Sequence, residues 1–599
     1  MPKHASDLEG KLKGAILAAA KSSTGVIIGV SDIELTSPKG GSNADLSCPV
    51  SFRLASKLGK SPHEIAQSLT DSLSRKKSPD FQILPPQNGF LNFSYSNSQL
   101  HKFLSLPLKE GKNFGKGNAG KKQKAIVEFS SPNIGKPMHI GHIRSTILGD
   151  SLAKVLAASG YKAISSNYLC EAGLQTAKLL LAIKLFKTRK ISSEKDLLAL
   201  YVEIHRQMES NPELEKQAQE LVLKMETGDP ATLRELTRVR KLSTQPFNRN
   251  YALLGIKFDE EVYDSDYVKD GKAMVDLAIE KGVAKRDTNG EVFADLEERF
   301  KQPNLIILRS NGTTLYSTRD LGLARRQFSK YKFDRRIYVT ASEQNTHFRQ
   351  VFAILRALGE PYADRLFHIG FGLISLEEGK LSTREGRVLL LEDVINESIS
   401  LALDEVKKRQ QYSDEAASEI ARIVGIASLK YSILKISSEK DIKFSMRDAV
   451  KFDGNTAAYL QYTCVRARNI QKKALDEKYA VAGASEGKVE QSKSSSKSNI
   501  RQSKSNANYP FNADEKKLIL LISQFPQTLE HAARNLSPYI ICDFLFRLAL
   551  QFSSFYDTCP VLKAQSSAAR EMRLQIVRAT ETVMQNGLAL LGIEVPERM

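Results

Sequence analysis

His139-Ile140-Gly141-His142 sets two imidazoles three residues apart around a glycine. They follow a short apolar run, Ala125-Ile126-Val127-Glu128-Phe129, and open a helical pattern through Ile143, Ile147, Leu148, Val155 and Leu156. A helix start favours phosphate, because its free backbone N–H groups and the positive end of its dipole point the same way. Gly141 lets an adenine or ribose approach the backbone. The two imidazoles can donate hydrogen bonds to phosphate oxygens. Core packing of the two histidines is the plain alternative. A second group lies far down the chain: Tyr459 and Tyr462, three apart on one helix face, with Arg466 and Arg468 after them. Aromatic rings beside arginines make a platform for unstacked bases. Packing into a helical core suits each tyrosine equally well.

The elements that must position these groups alternate. Gly160 ends the first helix and Ala163-Ile164 begins another strand, so strand, loop, helix and strand form a βαβ unit. The alternation returns at Leu305-Ile306-Ile307-Leu308, at Ile337-Tyr338-Val339, over a helix at 347–358, and at Phe367-His368-Ile369. Between the two halves, about 185–300, the chain reads mostly as charged helices. The pattern predicts a Rossmann-like α/β domain with a parallel sheet over 116–398, split by a helical insertion. Ahead of it, 1–115 reads as a small α+β domain, with helices near 8–21 and 61–75 and an alternating strand from Gly89 to Tyr95. Residues 111–124, rich in Gly and Lys, read as a linker. A connecting helical region follows over 399–450, then a helical bundle over 451–599. There Leu518, Leu521, Ile522, Phe525 and Leu529 share one face, and Ile541, Phe544, Leu545, Leu548, Phe552 and Phe555 share another. Residues 482–508, rich in Ser, Lys, Asn and Gln, read as a disordered loop. The predicted class is multidomain, α/β plus all-α.

Composition bounds the function. With 599 residues the chain exceeds one core, and roughly three to five domains are expected. It is 41% hydrophobic and 26% charged. No apolar run approaches the ~20 residues that span a bilayer, and no secretory signal opens the chain. The net charge of +19 and pI near 9.4 suit a polyanionic partner, although many basic proteins bind no nucleic acid. Five scattered cysteines without a C-x-x-C pair argue against a disulfide framework or a cysteine zinc site and fit a reducing cytoplasm.

The run from Glu128 through Ser130-Ser131-Pro132-Asn133-Ile134-Gly135-Lys136-Pro137-Met138-His139 to Thr146 resembles the signature of the arginyl-tRNA synthetases. It contains the HIGH motif of class I synthetases behind a Ser-Pro-Asn lead. Tyr316-Ser317-Thr318-Arg319-Asp320 is similar to the family's Tyr-x-Thr-Arg-Asp. Ala341 to Phe348 is similar to its Glu-Gln-x-x-His segment, and Leu381 to Arg387 stands in the place of its KMSKS loop. The run Gly454 to Tyr462 opens a bundle like its anticodon-binding domain, and Val595-Pro596-Glu597-Arg598-Met599 is like its ending.

The resemblance implies an ATP-dependent ligase that joins L-arginine to the terminal adenosine of its tRNA. It needs no covalent enzyme intermediate. By resemblance, Glu128, Ser131, Asn133, His142, Tyr316, Asp320 and Gln344 hold arginine. His139, Gly141, His142, Gly372 and Ser382 hold ATP, with Mg²⁺ accompanying the nucleotide. Lys136, His139, His142, Lys380, Ser382 and Arg384 stabilise charge in activation, and Phe90, Asn92, Tyr459, Tyr462 and Arg466 touch tRNA. No structural metal is expected, and a cytoplasmic monomer is the default. A planar guanidinium with five donors needs a carboxylate where it is buried, and Asp320 fits. A helix N-cap at Asp320 is the alternative. Glu128 could equally pair with Arg144 or Lys136. Phe90 and Phe93 fall on opposite faces of their strand, one of them toward the core.

Two departures stand out. Thr383 replaces the second lysine of the KMSKS pattern, and Lys136 is the candidate to supply that charge. Cys170-Glu171-Ala172-Gly173-Leu174-Gln175 stands where the family has Asp-Trp-Gly-x-Gln, which puts local packing in doubt. Three rivals follow: a small-molecule nucleotidylyltransferase independent of RNA, a non-catalytic tRNA-binding paralogue, and a lysine or glutamine synthetase.

Overall fold

The computed structural model describes residues 5–36, 38, 44–75, 78–186, 191–376, 390–409, 412–483 and 509–599. These divide into two compact units. One comprises Met1–Gly115, Tyr462–Thr528 and Phe544–Asn586; the other comprises Lys116–Gln461, Leu529–Asp543 and Gly587–Met599.

The second unit is built on a five-stranded parallel sheet. Its order is Leu366–Phe371, Arg335–Ala341, Lys124–Glu128, Lys162–Leu169, Glu260–Tyr263. The central strands bury an apolar majority, with Ala125, Ile126, Val127, Ile337 and Val339 fully buried, as a sheet covered on both faces requires. Ile126, Ile164 and Tyr338 join a core made with helices Val268–Glu280, Tyr316–Tyr331 and Asn345–Ala357. The alternate residues face the helix Ile140–Ala158, which packs on the same three central strands. Strand order reverses between Lys124–Glu128 and Arg335–Ala341. In an open α/β sheet, the carboxyl ends at such a switch point are where a ligand binds.

Two expectations need correction. Leu305–Leu308 is not in the parallel sheet; it pairs antiparallel with Val292–Ala294 in a separate three-stranded sheet completed by Ala284–Arg286. A short apolar run carries no record of which sheet it joins. Conversely, the stretch read as charged helices does hold three helices, Glu194–Ser210, Glu213–Thr227 and Pro230–Leu253. After them, however, it returns to the parallel sheet as its edge strand Glu260–Tyr263. That strand has only one strongly buried residue, Val262, so its sequence lacks an apolar signal.

The first unit joins a three-stranded antiparallel sheet, Leu46–Cys48, Phe90–Tyr95 and Phe81–Gln87, to helices that include Ala513–Ser523. Lys516 on that helix pairs with Asp45 at 2.8 Å. Helices Leu391–Arg409, Asp414–Leu434, Ala457–Gly483, Phe525–Arg534, Tyr539–Thr558 and Ser567–Leu590 belong to the all-α part of the chain. The stretch 482–508 lies almost entirely outside the described residues. No helix among those described is long and apolar enough to cross a membrane.

Candidate active site

Past Glu128 the backbone turns sharply at the switch point. Ser130 and Ser131 both take positive φ, 71° and 51°. Two consecutive non-glycine residues in that region are strained and must be held by their surroundings. Ser145 Oγ accepts from the Ser130 N–H at 2.9 Å and donates to the Val339 carbonyl at 2.7 Å. Ser130 Oγ lies 2.9 Å from Thr146 Oγ1 and 2.8 Å from the Tyr251 hydroxyl. The Ser131 N–H donates to Asn167 Oδ1 at 3.3 Å. Ser131 Oγ itself is buried with no partner among the described residues. A buried hydroxyl in that state is what a polar ligand group would satisfy. Asn133 follows, its backbone bridged to Cys170.

His139 caps the helix Ile140–Ala158. Its Nδ1 accepts from the Gly141 N–H at 3.1 Å, and His142 Nδ1 accepts from the His139 N–H at 3.2 Å. Both Nδ1 atoms are acceptors, so each neutral ring carries its proton on Nε2 as a donor. Burial holds the His142 imidazole down to about 3, reinforced by His139 and Lys136, and holds His139 below its usual value. The pair is therefore neutral near pH 7. A Cβ at Gly141 would sit 2.8 Å from the His139 ring, so the motif's glycine is required by the first histidine as well.

Across the sheet the decisive feature is a count of charge. Three neighbouring carboxylates are buried: Glu128, Asp264 and Asp320, with relative exposures of 4%, 0% and 8%. Glu128 is paired with Arg336, and Asp264 with Arg319 at 3.0 Å. Among the described residues Asp320 meets only His347, whose Nε2 lies 2.7 Å away. Asp320 is close enough to push both other carboxylates up, although burial is the larger cause in each. Three buried carboxylates thus face two guanidiniums among the described residues, and Asp320 is the one without a permanent cation. It is no N-cap: its helix is Tyr316–Tyr331, capped by Leu315, so Asp320 stands in the second turn. Glu128 pairs with neither partner expected for it, and Arg336 already meets its charge.

Tyr316 opens the same helix, about 43% exposed, and Gln344 ends the 3₁₀ turn Ser342–Gln344 beyond the carboxyl end of Arg335–Ala341. Asp264 was invisible in the sequence, one acid in the run Tyr263-Asp264-Ser265-Asp266. Its carboxylate accepts from the Glu171 and Ala172 N–H groups at 2.7 and 2.8 Å and so holds the divergent segment. Glu171 is fully buried there, bonded to Arg240 Nε at 2.8 Å and Ser265 Oγ at 2.6 Å. Arg240 in turn lies 4.0 Å over the Tyr263 ring.

Arg144 was also missed. Its buried guanidinium donates to the carbonyls of Gly372, Leu373, Ser437, Ser438 and Lys440. Gly372 is buried, and a Cβ there would run into the backbone of Lys440 and Asp441, so that close approach requires a glycine. Lys380, Ser382 and Arg384 lie outside the described residues.

In the first unit, Phe90 is half-buried with its ring 5.1 Å from Phe52, while Phe93 is in the core. Asn92 is buried, its Oδ1 accepting from Ser47 Oγ at 2.7 Å across two neighbouring strands. Tyr462 is exposed, and Arg466 lies 3.8 Å over the ring of Tyr556, a tyrosine the sequence did not single out. Arg468 pairs with Glu581. Tyr459 is half-buried.

A parallel sheet with a histidine-capped helix at its switch point is the frame of a class I synthetase. Residues 105–446 match the family model for the catalytic domain of class I (R) tRNA synthetases, 460–599 the DALR anticodon-binding domain, and 9–95 the arginyl-tRNA synthetase N-terminal domain. The chain is 35% identical to an arginine–tRNA ligase of Clostridioides difficile over 92% of each protein. It is 33% identical to one of Chloroflexus aurantiacus over 95% of this chain and 96% of that one. Among solved structures, the arginyl-tRNA synthetase of Thermus thermophilus shares the fold, with a TM-score of 0.75 at 24% identity over 99% of this chain and all of that one. That of Plasmodium falciparum gives 0.75 at 22% identity over 99% of each. The chain belongs to the arginyl-tRNA synthetase family.

Proposed function

We propose that the protein is an arginine–tRNA ligase that activates arginine with ATP and transfers it to the terminal adenosine of its tRNA. The observation that carries the arginine reading is the buried charge count, in which Asp320 alone lacks a permanent cation. A guanidinium supplies one with matching donors. Tyr316 stacks on its plane and Gln344 offers a carbonyl. Ser131, Asn133 and His142 take the amino and carboxylate end. Glu128 acts through Arg336 more readily than on the substrate.

In the first step a carboxylate oxygen of arginine attacks the α-phosphorus in line, the bond to the β-phosphate oxygen breaks, and pyrophosphate leaves. The protein supplies position and stabilises charge. The Nε2–H groups of His139 and His142 and the Lys136 ammonium serve one side, with Gly141 at the helix start. Lys380, Ser382 and Arg384 serve the other. Mg²⁺ enters as the counter-ion of ATP, on its phosphates. In the second step the 2′-hydroxyl of the terminal adenosine attacks the activated carboxyl carbon and AMP leaves. Phe90, Tyr459, Tyr462 and Arg466, with Tyr556, contact the tRNA. The protein works as a cytoplasmic monomer, with the domain limits drawn above.

ATP–pyrophosphate exchange with arginine, lysine or glutamine, with and without total tRNA, tests this. Exchange with arginine alone, on addition of tRNA, is expected. Exchange with lysine, or tRNA binding without exchange, would overturn it.

A further inference from the structure

The helical insertion reaches Lys136, just ahead of the HIGH motif. Its helix Glu194–Ser210 is anchored by Leu197, Leu200 and Ile204. Beside them Tyr201 and His205 stand one turn apart with ring centres 4.4 Å from each other. The Lys136 ammonium lies over the Tyr201 ring, 4.4 Å from its centre. Among the described residues no carboxylate forms an ion pair with Lys136, and His205 Nε2 is buried without a partner. Lys136 is close enough to both HIGH histidines to help hold their rings neutral.

We propose that Tyr201 is a positioning residue, its ring fixing the Lys136 ammonium beside the His139–His142 pair for the phosphates of ATP. This rests on the reading of Lys136 as a phosphate-binding cation. The physical reason lies in what a ring does that an acid cannot. A lysine on a four-carbon stem samples many rotamers, and a partner must restrict it. A carboxylate would do so while cancelling the charge that the phosphate needs. The ring face attracts the ammonium through its quadrupole, carries no net charge, and leaves the N–H donors on the far side available. Thr383 in place of a second loop lysine raises the demand on Lys136.

The test is tRNA-supported ATP–pyrophosphate exchange on the full chain for Lys136→Ala, Tyr201→Phe, Tyr201→Leu and Lys136→Ala/Tyr201→Leu, with KM for ATP and arginine measured separately. Tyr201→Leu should lower kcat/KM for ATP about two- to thirtyfold and leave KM for arginine unchanged. Tyr201→Phe should stay within about twofold of the parent, since the ring face remains. In the Lys136→Ala background Tyr201→Leu should add nothing. A normal Tyr201→Leu enzyme alongside an impaired Lys136→Ala enzyme would overturn the proposal. So would a Tyr201→Leu loss that persists without Lys136 or falls equally on arginine, which marks plain packing. Normal exchange by Lys136→Ala would instead remove the Lys136 reading itself, leaving Tyr201 nothing to position.

Discussion

His347 Nε2 sits 2.7 Å from a carboxylate oxygen of Asp320, joining a helix that follows one sheet strand to a helix start on another. The imidazole occupies one oxygen and fixes the rotamer, so on the proposed reading the other oxygen takes the substrate guanidinium. His347→Ala should lower kcat/KM for arginine by about ten- to a hundredfold, the worth of a hydrogen bond to a charged group, with KM for ATP little changed. Asp320→Asn should lose more. Steady-state aminoacylation with each substrate varied in turn checks both, and a loss confined to ATP would reject the role.

Glu128 and Arg336 form a buried pair in the middle of the sheet. Removing one charge strands the other, at about 3–5 kcal/mol. Glu128→Gln should therefore shift the urea midpoint strongly. If the variant keeps its stability but loses arginine affinity, Glu128 is a substrate ligand after all.

The His142 ring gives a pH limb with a definite sign. It titrates near 3 when folded and near 6.5 when free. Between those values the unfolded chain binds a proton that the folded chain does not. Stability therefore falls as pH drops from about 6.5 towards 3 and is level above 6.5. His142→Asn should flatten the limb by up to about 1.4 kcal/mol per pH unit, read from urea titrations between pH 7 and 5. No change in slope would place the titrating group elsewhere.

Arg144 ties the helix of the HIGH motif to the backbone at 372–373 and 437–440. Arg144→Gln leaves several of those carbonyls unpaired, at about 1–3 kcal/mol for each one shut off from water. The expected result is a lower Tm and a raised KM for ATP, with Arg144→Lys intermediate. An unchanged KM for ATP would make the hub purely structural.

Much of the site was legible because its physics is local. A helix start is set by neighbouring residues, so His139, Gly141 and His142 could be placed on one from spacing alone, and the family motifs put Asp320 and Tyr316 on one helix. Patterns of two and 3.6 residues located the catalytic strands near 125–129, 337–339 and 367–369. What a run of four apolar residues cannot carry is its partner, so Leu305–Leu308 was put in the wrong sheet, and the mostly polar edge strand Glu260–Tyr263 was passed over.

The sequence by itself determined the class of fold and the helix start that carries His139 and His142, because each follows from neighbouring residues. Only the tertiary structure decided which charges cancel. Asp264 meets Arg319, Glu128 meets Arg336, and Asp320 is left over. Those pairs join residues 55 and 208 positions apart (319 − 264 and 336 − 128). Burial makes their electrostatics strong, and burial is a property of the packed chain.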